Sequence, residues 1–122
     1  MKRILIMALL MAGCQSVPQP MADSRLDFGV KLAYKCIEGF GLAQRPADIK
    51  LVRTRRDYCK TSVACTFKGS QTMYIEEWID DEELLTNLIA HEAVHILLFR
   101  EGVYSSEHHF VTGSCGFGGW ND

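Results

Sequence analysis

The stretch from Asp80 to Gly102, DDEELLTNLIAHEAVHILLFREG, decides the fold of this chain. It opens on acidic residues, and an aspartate followed three residues later by a glutamate is typical of a helix N-terminus, where negative charge also suits the helix dipole. Apolar residues then occur almost all round the helical wheel. Arg100 and Gly102 supply the pattern of a helix end. The stretch therefore predicts a capped helix buried at the centre of the domain.

Shorter elements before this helix predict the rest of the domain. Apolar residues recur at helical spacing from Arg25 to about Phe40, and glycines follow. Three short apolar segments, predicted as strands, come next: residues 49–54, 62–67 and 72–75. We expect one α+β domain over residues 25–122, with an N-terminal helix, a short three-stranded antiparallel sheet and the central helix.

The first residues predict an export signal instead of a part of the fold. Met1-Lys2-Arg3 is basic, residues 4–12 form an unbroken apolar run too short to span a bilayer, and small residues precede Cys14. This end resembles the lipobox of bacterial lipoproteins, which implies cleavage after Gly13 and lipid attachment at Cys14. The alternative is a plain secretion signal. We expect a lipoprotein signal peptide over residues 1–13, a tether over residues 14–24, and a lipid-anchored protein of the cell envelope, at the outer membrane or the periplasmic face in a Gram-negative bacterium.

The chain contains five cysteines, and lipidation of one would leave an even number in an exported protein. An even set outside the cytosol favours disulfides. Of the connectivities open to these cysteines, we favour Cys59–Cys65, which closes a short loop between strands, with Cys36–Cys115, which ties the first helix to the C-terminus. The net charge of -2 gives no basic face of the kind that binds nucleic acid. We expect a monomer without a nucleic-acid partner.

The central helix carries the motif that indicates chemistry, His91-Glu92-Ala93-Val94-His95. Residues four apart lie one turn above each other, so His91 and His95 can direct their imidazoles to one metal ion. Catalytic zinc sites combine three protein ligands with a water molecule. Glu92 is placed to accept a proton from that water as general base. The alternative is two ordinary core or surface histidines, although burying them beside a carboxylate without a metal would be costly.

This motif resembles that of the zincin metallopeptidases. The resemblance covers about residues 72–110, and its specific part is the five residues of the motif. It implies a zincin-like fold, in which an active-site helix packs on a small sheet, and a Zn²⁺ ion that serves the hydrolysis of peptide bonds. It also implies that the strand at residues 72–75 lies along the cleft and pairs with an extended substrate. The metzincin subgroup fits poorly, since Leu98 and Glu101 stand where its pattern has glycine and a third ligand.

The third zinc ligand must come from beyond Gly102. The histidines of the chain outside the motif are His108 and His109, and we divide the assignment between them, with Glu107 as a gluzincin-like alternative. A serine at residues 105–106 is expected to cap a short helix that brings a histidine back over the site.

Residues around these histidines carry weaker signals. The histidine that does not bind zinc, or Tyr104, is a candidate to stabilise the oxyanion, and packing is the alternative role of Tyr104. The glycine-rich tail from Gly113 to Trp120 is expected to be a plain chain end, except where Cys115 holds it, and the alternative is that it borders the cleft.

The predicted function is zinc-dependent hydrolysis of peptide bonds in a protein or cell-envelope peptide. Two other functions stay open: a non-catalytic zinc-binding envelope lipoprotein, and a disulfide-stabilised interaction module without metal. Glu92 favours the enzyme over the first of these, because a purely structural zinc site has no use for a base.

Overall fold

The computed structural model describes residues 24–42 and 47–118. The elements in chain order are helix α1 (Ser24–Gly39), strands β1 (Lys50–Thr54), β2 (Ala64–Thr66) and β3 (Thr72–Glu76), and helices α2 (Glu82–Arg100) and α3 (Ser105–Ser114). The α+β class is confirmed. The predicted signal peptide and Cys14 lie outside the described residues. Within the described ranges, no helix is both long and apolar enough to cross a membrane.

Helix α2 is the predicted central helix, and it is buried as expected. Its N-cap is Asp81, whose side chain accepts a hydrogen bond from the Leu84 N–H at 2.9 Å. The residue three positions after this N-cap is Leu84. The glutamate predicted at that distance from the capping aspartate is therefore absent. Gly102 follows the helix with a φ of 80°, which a glycine adopts without strain. Residues 88–98 are all buried, because the sheet covers one side of α2 while α1 and α3 cover the other.

Helix α1 packs closely against α2. Its buried residues form one stripe: Gly29, Ala33, Cys36 and Ile37. A Cβ atom added at Gly29 would lie 2.4 Å from Ile89 Cγ2, so the close contact between the two helices requires glycine. The Cys36–Cys115 disulfide joins α1 to the end of α3, as favoured from the sequence.

The sheet is mixed, and the prediction of a purely antiparallel sheet is wrong. The strand order is β1-β3-β2, with β1 parallel and β2 antiparallel to β3. The chain leaves β1, forms β2 at the far edge, and returns through the short turn at residues 67–71. This return inserts β3 between the other two strands, running in the direction of β1.

The central place of β3 also contradicts the expectation that this strand pairs with a substrate. Its backbone is hydrogen-bonded to β1 along one edge and to β2 along the other. Strand addition needs a free edge, and β3 has none. Of the strands described, β2 and β1 form the edges of the sheet.

The two faces of the sheet have different covers. Leu51, Met73 and Ile75 point to the helices and are fully buried. Residues 55–63 fold over the opposite face, where the ring of Tyr58 lies 5.1 Å from that of Tyr74. The Cys59–Cys65 disulfide, the second pair favoured from the sequence, closes this segment onto the edge strand β2.

Candidate metal centre

Helix α2 brings His91 and His95 together, one turn apart on one side. Their Nε2 atoms are 3.2 Å apart, and the two side chains are almost completely buried. A tetrahedral zinc ion with Zn–N bonds of about 2.0–2.1 Å separates its nitrogen ligands by about 3.4 Å. The spacing of the two Nε2 atoms therefore fits a shared ion.

Helix α3 adds His109 to this pair. One ligand atom from each of His91, His95 and His109 lies within 4.8 Å of the other two. The His109 ring centroid is 5.4 Å from that of His91 and 5.2 Å from that of His95. His109 is exposed, so it forms the solvent side of the group. Between the two candidates left open by the sequence, the geometry favours His109.

His108 lies on the buried side of α3 and contacts His95 from behind. Its Nδ1 is 2.8 Å from His95 Nδ1, and its Nε2 is 3.0 Å from the Val103 carbonyl oxygen. A carbonyl oxygen only accepts, so Nε2 of His108 donates, and in neutral rings its Nδ1 accepts from His95. His108 therefore orients His95. With both nitrogens engaged, it is poorly placed to bind the ion or to stabilise an oxyanion.

The C-terminal tail orients His91 in the same way. His91 Nδ1 lies 2.7 Å from the Phe117 carbonyl oxygen and must donate to it. Gly116, with a φ of 83°, turns the chain back after α3, and the Phe117 N–H bonds the Thr112 carbonyl at 2.8 Å. The expectation of a plain chain end is thus wrong for the part of the tail that the structure describes, since this turn supports the site.

These bonds define what the two helical histidines offer to a ligand. With both Nδ1 atoms donating, each neutral ring presents an Nε2 lone pair, and the two lone pairs face each other at 3.2 Å. A cation or a shared proton between them relieves the repulsion. Imidazole donors suit zinc and other first-row metals such as copper, nickel and iron. The centre therefore fits a metal ion of this group.

Glu92 is linked to this centre through Thr66. Its fully buried carboxylate accepts a hydrogen bond through Oε1 from the Thr66 hydroxyl at 2.7 Å. Thr66 ends strand β2 and lines a cavity of 90 Å³ together with His95 and His109. Thr66 thus links the motif glutamate to the small cavity that His95 and His109 line.

The remaining predicted residues lie at the margin. Glu107 is exposed and is not in the histidine group found among the described residues. Tyr104 is 78% exposed and is the N-cap of α3, while Ser105 begins the helix without the predicted capping role. Tyr104 lines a neighbouring cavity instead of the 90 Å³ cavity.

Three contributors to the site escaped the sequence analysis: Thr66 and the carbonyl groups of Val103 and Phe117. A backbone carbonyl has no signature in the sequence. Thr66 reaches Glu92 only because β2 packs beside α2, a non-local contact.

Comparison with known proteins gives no relative from which a function can be transferred. No protein-family model matches the chain, and neither a curated protein nor a solved structure matches it. The resemblance to zincins therefore rests on the sequence motif from His91 to His95.

Proposed function

We propose that this protein is a zinc-dependent peptidase in which His91, His95 and His109 hold the ion and Glu92 is the general base. The observation that carries the proposal is the grouping of ligand atoms from three histidines within 4.8 Å of one another, with the buried Glu92 carboxylate bonded to Thr66, which lines the same cavity as His95 and His109. When bound, zinc supplies Lewis acidity, which lowers the pKa of a water molecule and polarises a substrate carbonyl. The substrate class is a protein or a peptide of the cell envelope.

Glu92 moves the proton in this proposal. The Thr66 hydroxyl holds Oε1, so the carboxylate keeps one orientation and Oε2 takes the proton from the attacking water. The same oxygen then delivers the proton to the nitrogen of the leaving amine, which balances the hydrolysis. Burial of the carboxylate restricts competing contacts with bulk water.

Polar contacts on the far side of the ligand histidines hold their rings in one orientation, which supports the proposed metal site. His108 holds His95, and the Phe117 carbonyl holds His91. Such outer partners fix the ring orientation and make the ligand more basic. Structural zinc sites are closed by four protein ligands, whereas the group among the described residues supplies three and opens to a cavity at His109. This difference favours catalysis over a purely structural ion.

An extended substrate would pair with β2 in place of the strand expected from the resemblance. β2 is an edge strand, and its last residue, Thr66, lines the cavity of the metal centre. Addition of a peptide strand at such an edge supplies main-chain hydrogen bonds without demanding a particular side chain. The scissile bond would then pass close to Thr66, whose hydroxyl is bonded to Glu92.

The decisive experiment is metal analysis of the full chain, extracted in mild detergent, beside its Glu92→Gln variant. We expect about one zinc per chain in both proteins, and cleavage of a mixed peptide library by the parent only. Absence of stoichiometric metal would refute both the peptidase and the structural zinc site. Zinc without cleavage would favour the non-catalytic zinc-binding lipoprotein.

We also propose that the protein is anchored in the cell envelope through lipid on Cys14, where it acts as a monomer. The two disulfides fit an oxidising compartment. Mass spectrometry of the N-terminal peptide tests the anchor: we expect cleavage before Cys14 and a diacylglyceryl adduct on it. The Cys14→Ser variant should lack the adduct and keep its leader. An unmodified Cys14 in the parent would contradict the anchor without touching the metal site.

A further inference from the structure

A cleft leads away from the histidine centre. Phe99 and Ser105 line the 90 Å³ cavity at His95 and His109, and both also line a neighbouring cavity of 350 Å³. Phe99 lines a third cavity of 480 Å³ as well. The three cavities therefore share Phe99 as a wall along the last turn of α2, and we refer to them together as the cleft.

The charged residues of this cleft have one sign. Lys68 lines both larger cavities and Arg100 lines one of them, and no aspartate or glutamate among the described residues lines any of the three. The chain as a whole has 15 acidic and 13 basic residues, so the cleft differs from the average surface. A bound metal ion would add further positive charge at its inner end.

Lys68 contributes more to the positive charge of the cleft than Arg100 does. The Arg100 Nε atom lies 4.0 Å from Glu101 Oε2, which offsets its charge. Lys68 is exposed, and no residue in the described ranges forms an ion pair with it. Its ammonium group is available to a ligand.

Position and shape link Lys68 to the substrate path. Lys68 follows Thr66 by two residues, at the end of the edge strand that would pair with a peptide. The cleft beside it is walled by the Phe99 ring and by Tyr104, which is 78% exposed. An apolar wall that ends at a cation suits a short aliphatic group that carries a carboxylate.

Resting on the proposed peptidase function, we propose that Lys68 is a specificity residue that binds a carboxylate of the substrate close to the scissile bond. The protein would then prefer peptides with an acidic side chain or with a free C-terminal carboxylate at this site. The chemistry is the same for both sources, and peptides with acidic or neutral side chains and with free or amidated ends distinguish them.

The kinetic test uses peptides that the parent cleaves, synthesised with Glu or Gln at each position beside the cleaved bond and with free or amidated C-termini. We expect kcat/KM of Lys68→Gln to fall about three- to tenfold for peptides with the recognised carboxylate, as for the loss of one partly exposed charge pair. Neutral peptides should stay within twofold. Lys35→Gln, the same change on the exposed face of α1, is the control and should behave as the parent does. Equal cleavage of charged and neutral peptides by the parent would overturn the proposal.

A binding test gives a readout besides activity. N-acetylglutamate and N-acetylglutamine are titrated into the zinc-loaded Glu92→Gln protein, with and without Lys68→Gln, and followed by amide NMR. We expect N-acetylglutamate alone to shift amides near residues 68 and 99–105, and the second substitution to weaken this binding at least threefold. Contact of a carboxylate with zinc would be equal in both proteins. Equal binding in both would overturn the role of Lys68.

The two tests separate the two proposals. Cleavage without a carboxylate preference defeats the specificity role and leaves the peptidase standing. Carboxylate binding that depends on Lys68, in a protein that cleaves no peptide, defeats the peptidase and identifies the cleft as a carboxylate-binding site.

Discussion

The two sides of helix α3 show how the candidate site divides its work. The buried side carries His108 and Val111, which are inaccessible or nearly so, and the open side carries His109 and Phe110, with Phe110 70% exposed. His108 and His109 are neighbours in sequence but point about 100° apart round the helix. One holds another histidine in place, and the other joins the ligand group. The buried side of α3 thus orients a histidine of the site, while the open side supplies a candidate metal ligand that solvent can reach.

The strongest test of this division is His109→Ala. Removal of one of three ligands should weaken zinc binding by at least about 100-fold, which corresponds to about 2.7 kcal/mol. Because His109 is exposed, the free energy of unfolding of the metal-free protein should change by no more than about 0.5 kcal/mol. Competition with a chromogenic chelator measures the affinity, and urea unfolding measures the stability.

Glu107→Ala is a control at another exposed position of the same helix, and it also tests the carboxylate alternative for the third ligand. We expect its zinc affinity to equal that of the parent. If Glu107→Ala loses zinc while His109→Ala retains it, the assignment of the open side is wrong.

His108→Ala should lose less zinc affinity than His109→Ala but more stability. Loss of a partner behind a metal ligand typically weakens metal affinity about 10- to 100-fold, less than loss of a ligand. The fully buried ring also leaves a cavity and unsatisfied polar groups, so unfolding should become easier by about 2–4 kcal/mol. Calorimetry of the metal-free protein and chelator competition measure the two effects.

Val111→Ala is the control for packing on the buried side. It should lower stability by about 1–3 kcal/mol and leave zinc affinity within about twofold, because Val111 belongs to the hydrophobic core and offers no ligand atom. Equal losses of zinc affinity in Val111→Ala and His108→Ala would mean that His108 acts by packing alone.

Local patterns explain why the central helix and the disulfides were predictable. The acidic start, the apolar run and Gly102 all lie within one continuous stretch, and each acts on the backbone around it. The disulfides followed from spacing and compartment. The motif likewise placed His91 and His95 together, since helical geometry puts residues four apart one turn above each other.

Non-local geometry explains what the sequence left open. The order β1-β3-β2 depends on where the chain returns to the sheet, which no local pattern encodes. The choice between His108 and His109 depends on the rotation of α3 about its axis, which its packing on α2 and the Cys36–Cys115 disulfide constrain. Hydrogen bonds to the carbonyls of Val103 and Phe117 depend on backbone position and not on side-chain identity.

Thr66→Val tests the cavity side of the site, at the proposed general base Glu92. Valine has the shape of threonine without the hydroxyl, so the Glu92 carboxylate loses a 2.7 Å hydrogen bond while the packing stays the same. We expect kcat to fall about tenfold, with KM and zinc content unchanged, because a hydrogen bond to a charged group contributes about 1.5–3 kcal/mol. Thr66→Ser keeps the hydroxyl and should restore most of kcat. A valine variant as active as the parent would leave Thr66 without a role in positioning.

The smallest expected effect concerns the turn that places the Phe117 carbonyl against His91. Gly116 has a φ of 83°, and a Cβ atom added there would meet no atom within 4 Å. The cost of Gly116→Ala is therefore conformational only, about 1 kcal/mol of unfolding free energy. If the turn opens, the bond from His91 Nδ1 to Phe117 lengthens, and zinc affinity should fall a few-fold as well.

Gly113→Ala is the matched control, because it makes the same chemical change three residues earlier, inside α3, where a Cβ atom also meets nothing. Alanine favours a helix over glycine, so this variant should gain up to about 1 kcal/mol. Urea unfolding of both variants at one disulfide state measures the difference. If the free energy of unfolding changes with the same sign in the two variants, the left-handed turn at Gly116 does not hold the Phe117 carbonyl in place. Opposite signs, with zinc affinity lowered only in Gly116→Ala, would link the left-handed turn to the orientation of His91.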